Sequence, residues 1–240
     1  MSKTLIFVEA AFDEIVVGKI IEKLGKNLLD NTFAIALGES NITSSGQLRS
    51  ALLKNWKKIF KDGITKIARI CDIDNNSISD LEFSVNTAIQ TAFNLPILPT
   101  LKENNPQIIS IPPPDDLKTF SPRPVEFICY FVGKKDAIGN KTGELEDLLR
   151  LIAKQPANIS DCVDTHLPNC LTNKGVNLKN VKKSLSKLWL YNYQRFDAGD
   201  VEYTAFNETI IEQNFNDMFN LNADVPELKE LINCIKNIAQ

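Results

Sequence analysis

The sequence predicts an α/β protein: a parallel sheet with helices on both faces, followed by a mainly helical C-terminal extension. Three observations carry that expectation. Apolar runs of strand length alternate with amphipathic stretches at helical spacing from residue 3 to residue 93. The apolar runs lack polar alternation, as strands buried on both faces require. The units repeat at roughly 30 residues, the length of a strand-helix-strand step.

The first run, Lys3 to Ala10 (KTLIFVEA), is almost wholly apolar and ends at Glu9. Asp13 to Leu24 then sets Ile15, Val16, Ile20, Ile21 and Leu24 on one helical stripe, with Asp13 and Glu14 in the first turn and Gly25 as the stop. Thr32 to Leu37 is a second buried-type strand, halted by Gly38, and Glu39 to Gly46 is a polar loop. Gln47 to Lys61 is an amphipathic helix with Leu48, Ala51, Leu52, Trp56, Ile59 and Phe60 inward and four lysines outward. Ile64 to Cys71 is the third strand and runs into Asp72-Ile73-Asp74-Asn75. Ser77 to Phe93 follows as a helix, with Ser79 and Glu82 at capping-box spacing.

Eight of the eleven prolines then fall between Pro96 and Pro124. Proline keeps most of that stretch out of helix and central sheet, so Gln107 to Ile111 is expected as an edge strand at most. Val125 to Val132 is the fourth good strand, Lys134 to Gly143 a polar loop, and Glu144 to Ala153 a helix with three acids in its first turn. Beyond it, Val181 to Phe196, Ile210 to Met218 and Pro226 to Ala239 carry helical patterns. The expected division is an α/β domain at 1–155, with a proline-rich insertion at 96–124, and a helical extension at 156–240.

The 240 residues suffice for a sizeable core, and 43% hydrophobic with 24% charged residues is ordinary for a globular chain. A net charge of −3 argues against a basic nucleic-acid coat, though not against an enzyme that meets nucleic acid locally. No apolar stretch reaches the roughly 20 residues of a membrane helix. With five scattered cysteines and no signal peptide at the N-terminus, the expectation is a reduced, cytoplasmic protein.

The chemistry gathers at strand ends. Glu9 follows the first strand, Asp72 and Asp74 the third, and Glu144 and Glu146 the fourth, while Asp13 lies one helical turn past Glu9. Carboxylates that converge on one sheet edge repel one another unless a cation joins them, and oxygen ligands suit Mg²⁺ or Mn²⁺. The plain alternative is that acids at strand ends cap helices and keep loops in water. An Asp-x-Asp after a strand also marks aspartyl-phosphate phosphatases, but there it follows the first strand.

Other motifs are weaker. Cys162, His166 and Cys170 are evenly spaced zinc-capable residues, but a fourth ligand is not evident nearby, and chance spacing in a loop accounts for them. His166 is the single histidine, and no Gly-x-Ser-x-Gly elbow supports a hydrolase. No glycine-rich dinucleotide or Walker-type loop occurs. Val181 to Phe196 interleaves Lys182, Lys183 and Lys187 with Trp189, Tyr191, Tyr193 and Phe196, a pattern that suits either nucleic-acid stacking or half-buried core aromatics.

Phe7-Val8-Glu9-Ala10, Leu37-Gly38 and Cys71-Asp72-Ile73-Asp74-Asn75, in that order, resemble the Toprim domain shared by topoisomerases, DnaG-type primases and OLD-family nucleases. Glu9 with Asp13, and Gly143 to Leu149, are similar to segments of small stand-alone OLD-like Toprim proteins. The resemblance spans residues 3 to 150, with an echo near Lys187. It implies a Toprim-like sheet and metal-dependent phosphodiester chemistry on DNA or RNA with Mg²⁺ or Mn²⁺. It further implies Glu9 as general acid/base or ligand, Asp13, Asp72, Asp74, Glu144 and Glu146 as the metal-ligating set, and Lys187 as a charge-stabilising catalytic group. The family usually carries Glu-Gly where this chain has Glu9-Ala10. Its members often work with an ATPase, so the second expectation is a metal-binding or interaction module partnered by a separate one.

Overall fold

Lys3–Val8 (β1), Thr32–Ala36 (β2), Ile64–Asp72 (β3), Gln107–Ile111 (β4) and Arg123–Val132 (β5) form one sheet in the order β2-β1-β3-β5-β4. β2, β1, β3 and β5 are mutually parallel, and β4 pairs antiparallel with β5 at one edge. The computed structural model describes residues 3–25, 28, 30–37, 44–74, 76–135, 141–177, 182–198 and 208–239. The fold is the expected mixed α/β arrangement, a mostly parallel five-stranded sheet with helices around it and further helices in the C-terminal part.

The chain divides into two compact units: Met1–Val132 with Glu230–Gln240, and Gly133–Lys229. The sequence pattern alone places a division near residue 155.

In the first unit the strand pattern explains the layers. Leu5 and Phe7 of β1, Ile67 and Cys71 of β3, and Val125, Phe127, Cys129 and Phe131 of β5 share one face. They pack against Leu48, Leu52, Ile59 and Phe60 of Ser44–Lys61 (α2) and Leu81, Val85, Ala88 and Ile89 of Ile78–Phe93 (α3). Residues of the other parity, such as Ile6, Val8, Ala68 and Ile70, are equally buried on the opposite face. Ala11–Leu24 (α1) contributes Phe12, Val16, Val17, Ile20 and Ile21, none of them in the α2–α3 core. Leu231, Ile235 and Ile238 of Pro226–Ala239 (α8) are buried too, and the Thr4 hydroxyl of β1 donates to the Ile238 carbonyl at 3.2 Å. Burial on both faces is why these strands read as unbroken apolar runs.

Several expectations move by a residue or two. α1 ends at Gly25 (φ 129°), whose N–H reaches the carbonyls of Ile21 and Glu22, so glycine is needed there. The cap of α3 is Ser77, not Ser79: Ser77 Oγ accepts the Asp80 N–H at 3.1 Å and donates to Asp80 Oδ2 at 2.6 Å. Glu82 is instead buried and ties down the chain after α3, pairing with Lys102 Nζ at 2.8 Å and accepting the Glu103 N–H at 2.9 Å. Asn86 adds a two-way clamp on Leu101, donating to its carbonyl and accepting its N–H, each at 3.0 Å. The expected motif residues Gly38 and Asn75 lie outside the described residues.

The second unit holds a two-stranded ribbon, Lys134–Lys135 (β6) with Lys141–Thr142 (β7), where a loop was expected. Four helices follow: Leu145–Leu151 (α4), Asn158–Asn173 (α5), Lys182–Asn192 (α6) and Glu208–Met218 (α7), with a π-helical turn, Tyr193–Asp197, after α6. Its core is aromatic. Trp189 stacks on Tyr193 at 5.0 Å, and Phe219 lies 5.7 Å from Tyr193 and 5.1 Å from Phe215. The Tyr193 hydroxyl accepts the Gln155 N–H and donates to the Met218 carbonyl. Among the described residues no helix is long and apolar enough to cross a membrane.

Candidate metal centre

Parallel strands direct their carboxyl ends to one edge. β1 continues through α1 to β2 on one side, while β2 returns through α2 to β3 on the other side of β1. The carboxyl ends of β1 and β3 therefore flank a switch point in strand order, the place where open α/β sheets leave a crevice for ligands. Glu9 and Ala10 leave β1 there, and Asp72, Ile73 and Asp74 leave β3.

Two residues apart, Asp72 and Asp74 would point to the same side of an extended strand, but they reach the edge by another route. Asp72 is the last residue of β3, but Asp74 has a left-handed backbone (φ 51°), so the strand has already turned. Ile73 still donates to the Val132 carbonyl at 3.0 Å, and the Asn76 N–H closes the turn onto the Ile73 carbonyl at 2.9 Å. Aspartate tolerates that conformation better than most residues. A carboxylate oxygen of Asp72 and one of Asp74 nevertheless lie within 4.8 Å of each other. The turn, rather than strand alternation, sets the pair together.

Asp13 enters from α1. Its Oδ2 accepts the Ala10 N–H at 2.9 Å, one half of a capping box that alanine, having no acceptor, does not reciprocate. Burial raises its carboxyl pKa above the ordinary 3.8; the Ala10 N–H bond opposes the rise, the Glu9 charge adds to it, and the Arg69 guanidinium pulls it down. Ala10 has an extended backbone (φ −126°, ψ 168°), so the usual glycine's freedom is not needed to make this turn.

Arg69 escaped the sequence reading. It pairs with Phe7 across β1 and β3 and is only 4% exposed. The available signal was a cation inside a strand buried on both faces, where a charge is rare without a reason. Cys71, between Arg69 and Asp72, has its thiol pushed up to about 12 by burial, so in the absence of metal it is a neutral thiol at neutral pH.

Glu144 and Glu146 belong to the second unit. Glu144 is the N-cap of α4, its N–H held by Asp147 Oδ2 at 3.0 Å, and Glu146 lies in the first turn. Lys187 is an exposed residue of α6, in the same unit. Glu9, Asp13, Asp72 and Asp74 are thus the expected site residues that share one edge of the first unit.

Two other expectations resolve in the second unit. Cys162, His166 and Cys170 lie on α5, not in a loop, and all three are exposed. Eight residues of helix advance about 12 Å, too far for one ion to take both cysteines. In the proposed stacking strip, Trp189 and Tyr193 are 2% and 0% exposed and belong to the core. Tyr191 and Phe196 instead flank Arg195, whose guanidinium lies 5.9 Å and 5.1 Å from their rings.

Comparison with family models, with curated proteins and with solved structures gives no match for this chain.

Proposed function

We propose that this chain is a divalent-metal-dependent phosphodiester enzyme of the Toprim type, acting on DNA or RNA in the cytoplasm. One observation carries the reading: carboxylates from two adjacent parallel strands, Glu9 from β1 and Asp72 with Asp74 from β3, stand at the switch point of the sheet. Asp72 and Asp74 fit such an ion, because a carboxylate oxygen of each lies within 4.8 Å of the other and both are hard ligands suited to Mg²⁺ or Mn²⁺. Bound there, such an ion supplies polarisation of a phosphodiester oxygen and a more acidic water.

Asp72 and Asp74 hold the ion. Glu9 stands across the crevice to ligate it or to take the proton of the attacking water. Asp13 adds negative charge behind Glu9. The basic helix α2 carries Arg49, Lys54, Lys57, Lys58 and Lys61 and not one acidic residue, but its lysines lie in the half that leads into the start of β3, so a polyanion bound there extends away from the acidic edge. Five unbridged cysteines fit a reducing compartment.

The test is cleavage of single- and double-stranded DNA and RNA by the purified chain, with Mn²⁺ or Mg²⁺ against a chelator. Replacing both Asp72 and Asp74 with Ala is expected to cost about 100-fold or more in rate while the thermal transition survives. Undiminished cleavage by that double variant would sink the proposal. A second reading, a metal-binding module without turnover beside a separate ATPase, is favoured by the Ala10 methyl group at the point where β1 meets α1. Mn²⁺ binding without cleavage of any of these substrates identifies it.

A further inference from the structure

A guanidinium buried in a sheet needs an anion. Arg69 is 4% exposed and is among the residues that line a small apolar pocket with Leu48, Leu52, Val85 and Ile89. Its Nη1 makes one long bond, 3.5 Å, to the Phe7 carbonyl, and its Nη2 is buried with no hydrogen-bond partner. Among the described residues it forms no ion pair within 4.0 Å. A cation so placed is costly unless charges a little farther off hold it.

Those charges are the acids of the edge. Phe7 pairs with Arg69, so Glu9 lies two residues on along the neighbouring strand, and Asp72 three residues on along its own. Asp13 is tied to Ala10, the next residue after Glu9. Arg69 lowers the pKa of Asp13, and Glu9, Asp13, Asp72 and Arg69 all act on the Cys71 thiol between them. In a low-dielectric interior such interactions reach well beyond contact distance.

The geometry points to Arg69 as the resident counter-charge of the acidic edge: a positioning residue that holds Glu9 and Asp13 together without metal and opposes a cation when one arrives. Its charge is fixed, since arginine does not deprotonate in proteins. It therefore sets the metal affinity of the edge rather than supplying a ligand. A divalent ion and the guanidinium compete for the same negative charge, which keeps the site from filling irreversibly. The metal half of this role rests on the function proposed above; the counter-charge half does not.

Two measurements test it. Calorimetric titration with Mn²⁺ alone compares wild type, Arg69→Met and Arg69→Lys. Loss of the charge is expected to tighten Mn²⁺ about tenfold, and lysine to restore the wild-type affinity. A merely structural arginine would instead leave Mn²⁺ affinity weaker or unmoved in Arg69→Met, and that outcome overturns the proposal. The second measurement needs no metal. Melting curves in chelator compare wild type, Asp13→Asn, Arg69→Met and the double variant. Asp13→Asn is expected to raise the transition more in the Arg69→Met background than in wild type, and simple additivity overturns the counter-charge role. If Arg69→Met alone does not fold, folding of the double variant supports the role and failure of both overturns it. Wild type that binds no Mn²⁺ removes the metal-dependent function, while the melting cycle still decides what Arg69 does.

Discussion

The carboxyl group of Asp13 gives up water as α1 packs beside the strand ends, and that loss raises its pKa above 3.8. A carboxyl raised in the folded state favours folding below the unfolded pKa, and the benefit is lost as pH climbs through the folded value. At neutral pH the ionised group therefore costs stability in the metal-free protein. Asp13→Asn keeps an oxygen for the Ala10 N–H and removes the charge, so it is expected to raise the melting temperature at pH 7 in chelator. That gain is expected to vanish below about pH 3.8, where the native carboxyl is protonated as well. Melting curves across pH check it; an equal gain at every pH contradicts the assignment. Of the residues at this edge, Glu9, Asp13, Asp72 and Asp74 were legible because acids after apolar runs stand out. The pairing of Asp72 with Asp74 was legible only for the wrong reason, since a left-handed turn at Asp74 brings it about. Arg69 was not legible, because its effect depends on neighbours contributed by other elements.

Elements whose pattern is set by burial on both faces came out within a residue or two of their observed limits. β1, β3 and β5 are unbroken apolar runs because α2 and α3 cover one face of the sheet and residues of the other parity are buried as well. α5 was missed as a helix for the opposite reason. Among its sixteen residues only Ser160 is buried, so it shows no apolar stripe, and Pro168 lies inside it. It is held from outside: Asp197 accepts the N–H groups of Ile159 and Ser160, and Arg150 pairs with Asp161 and Asp164. The proline-rich stretch after α3 shows how a segment without periodicity is fixed by side chains. Asn86 holds both polar backbone groups of Leu101, with all partners buried. Asn86→Ala leaves those two groups unsatisfied and is expected to cost about 2 kcal/mol in chemical unfolding. A loss below about 0.5 kcal/mol would show that the strap is held elsewhere.

Over the whole chain, local patterning gave the alternation of strands and helices and hence the sheet. It carries no mark of the long-range return by which Glu230–Gln240 joins the unit formed by Met1–Val132. That return is a matter of packing: α8 has an ordinary amphipathic pattern, and nothing in it names the surface it covers. Ile235 is fully buried, so Ile235→Ala is expected to destabilise the sheet unit by about 3 kcal/mol in denaturant unfolding, far more than a solvent-facing substitution on the same helix. A loss no larger than that of Lys236→Ala would mean that α8 lies only loosely on the first unit.

The separation in sequence between Val132 and Glu230 also has a consequence in time. Ribosomes add on the order of ten residues each second, so roughly ten seconds pass between the emergence of the last strand and that of the helix segment whose Ile238 carbonyl meets Thr4. Through that interval the nascent sheet waits with one apolar side incompletely covered. Pulse-chase proteolysis of chains stalled before and after residue 230 would register the moment that side closes.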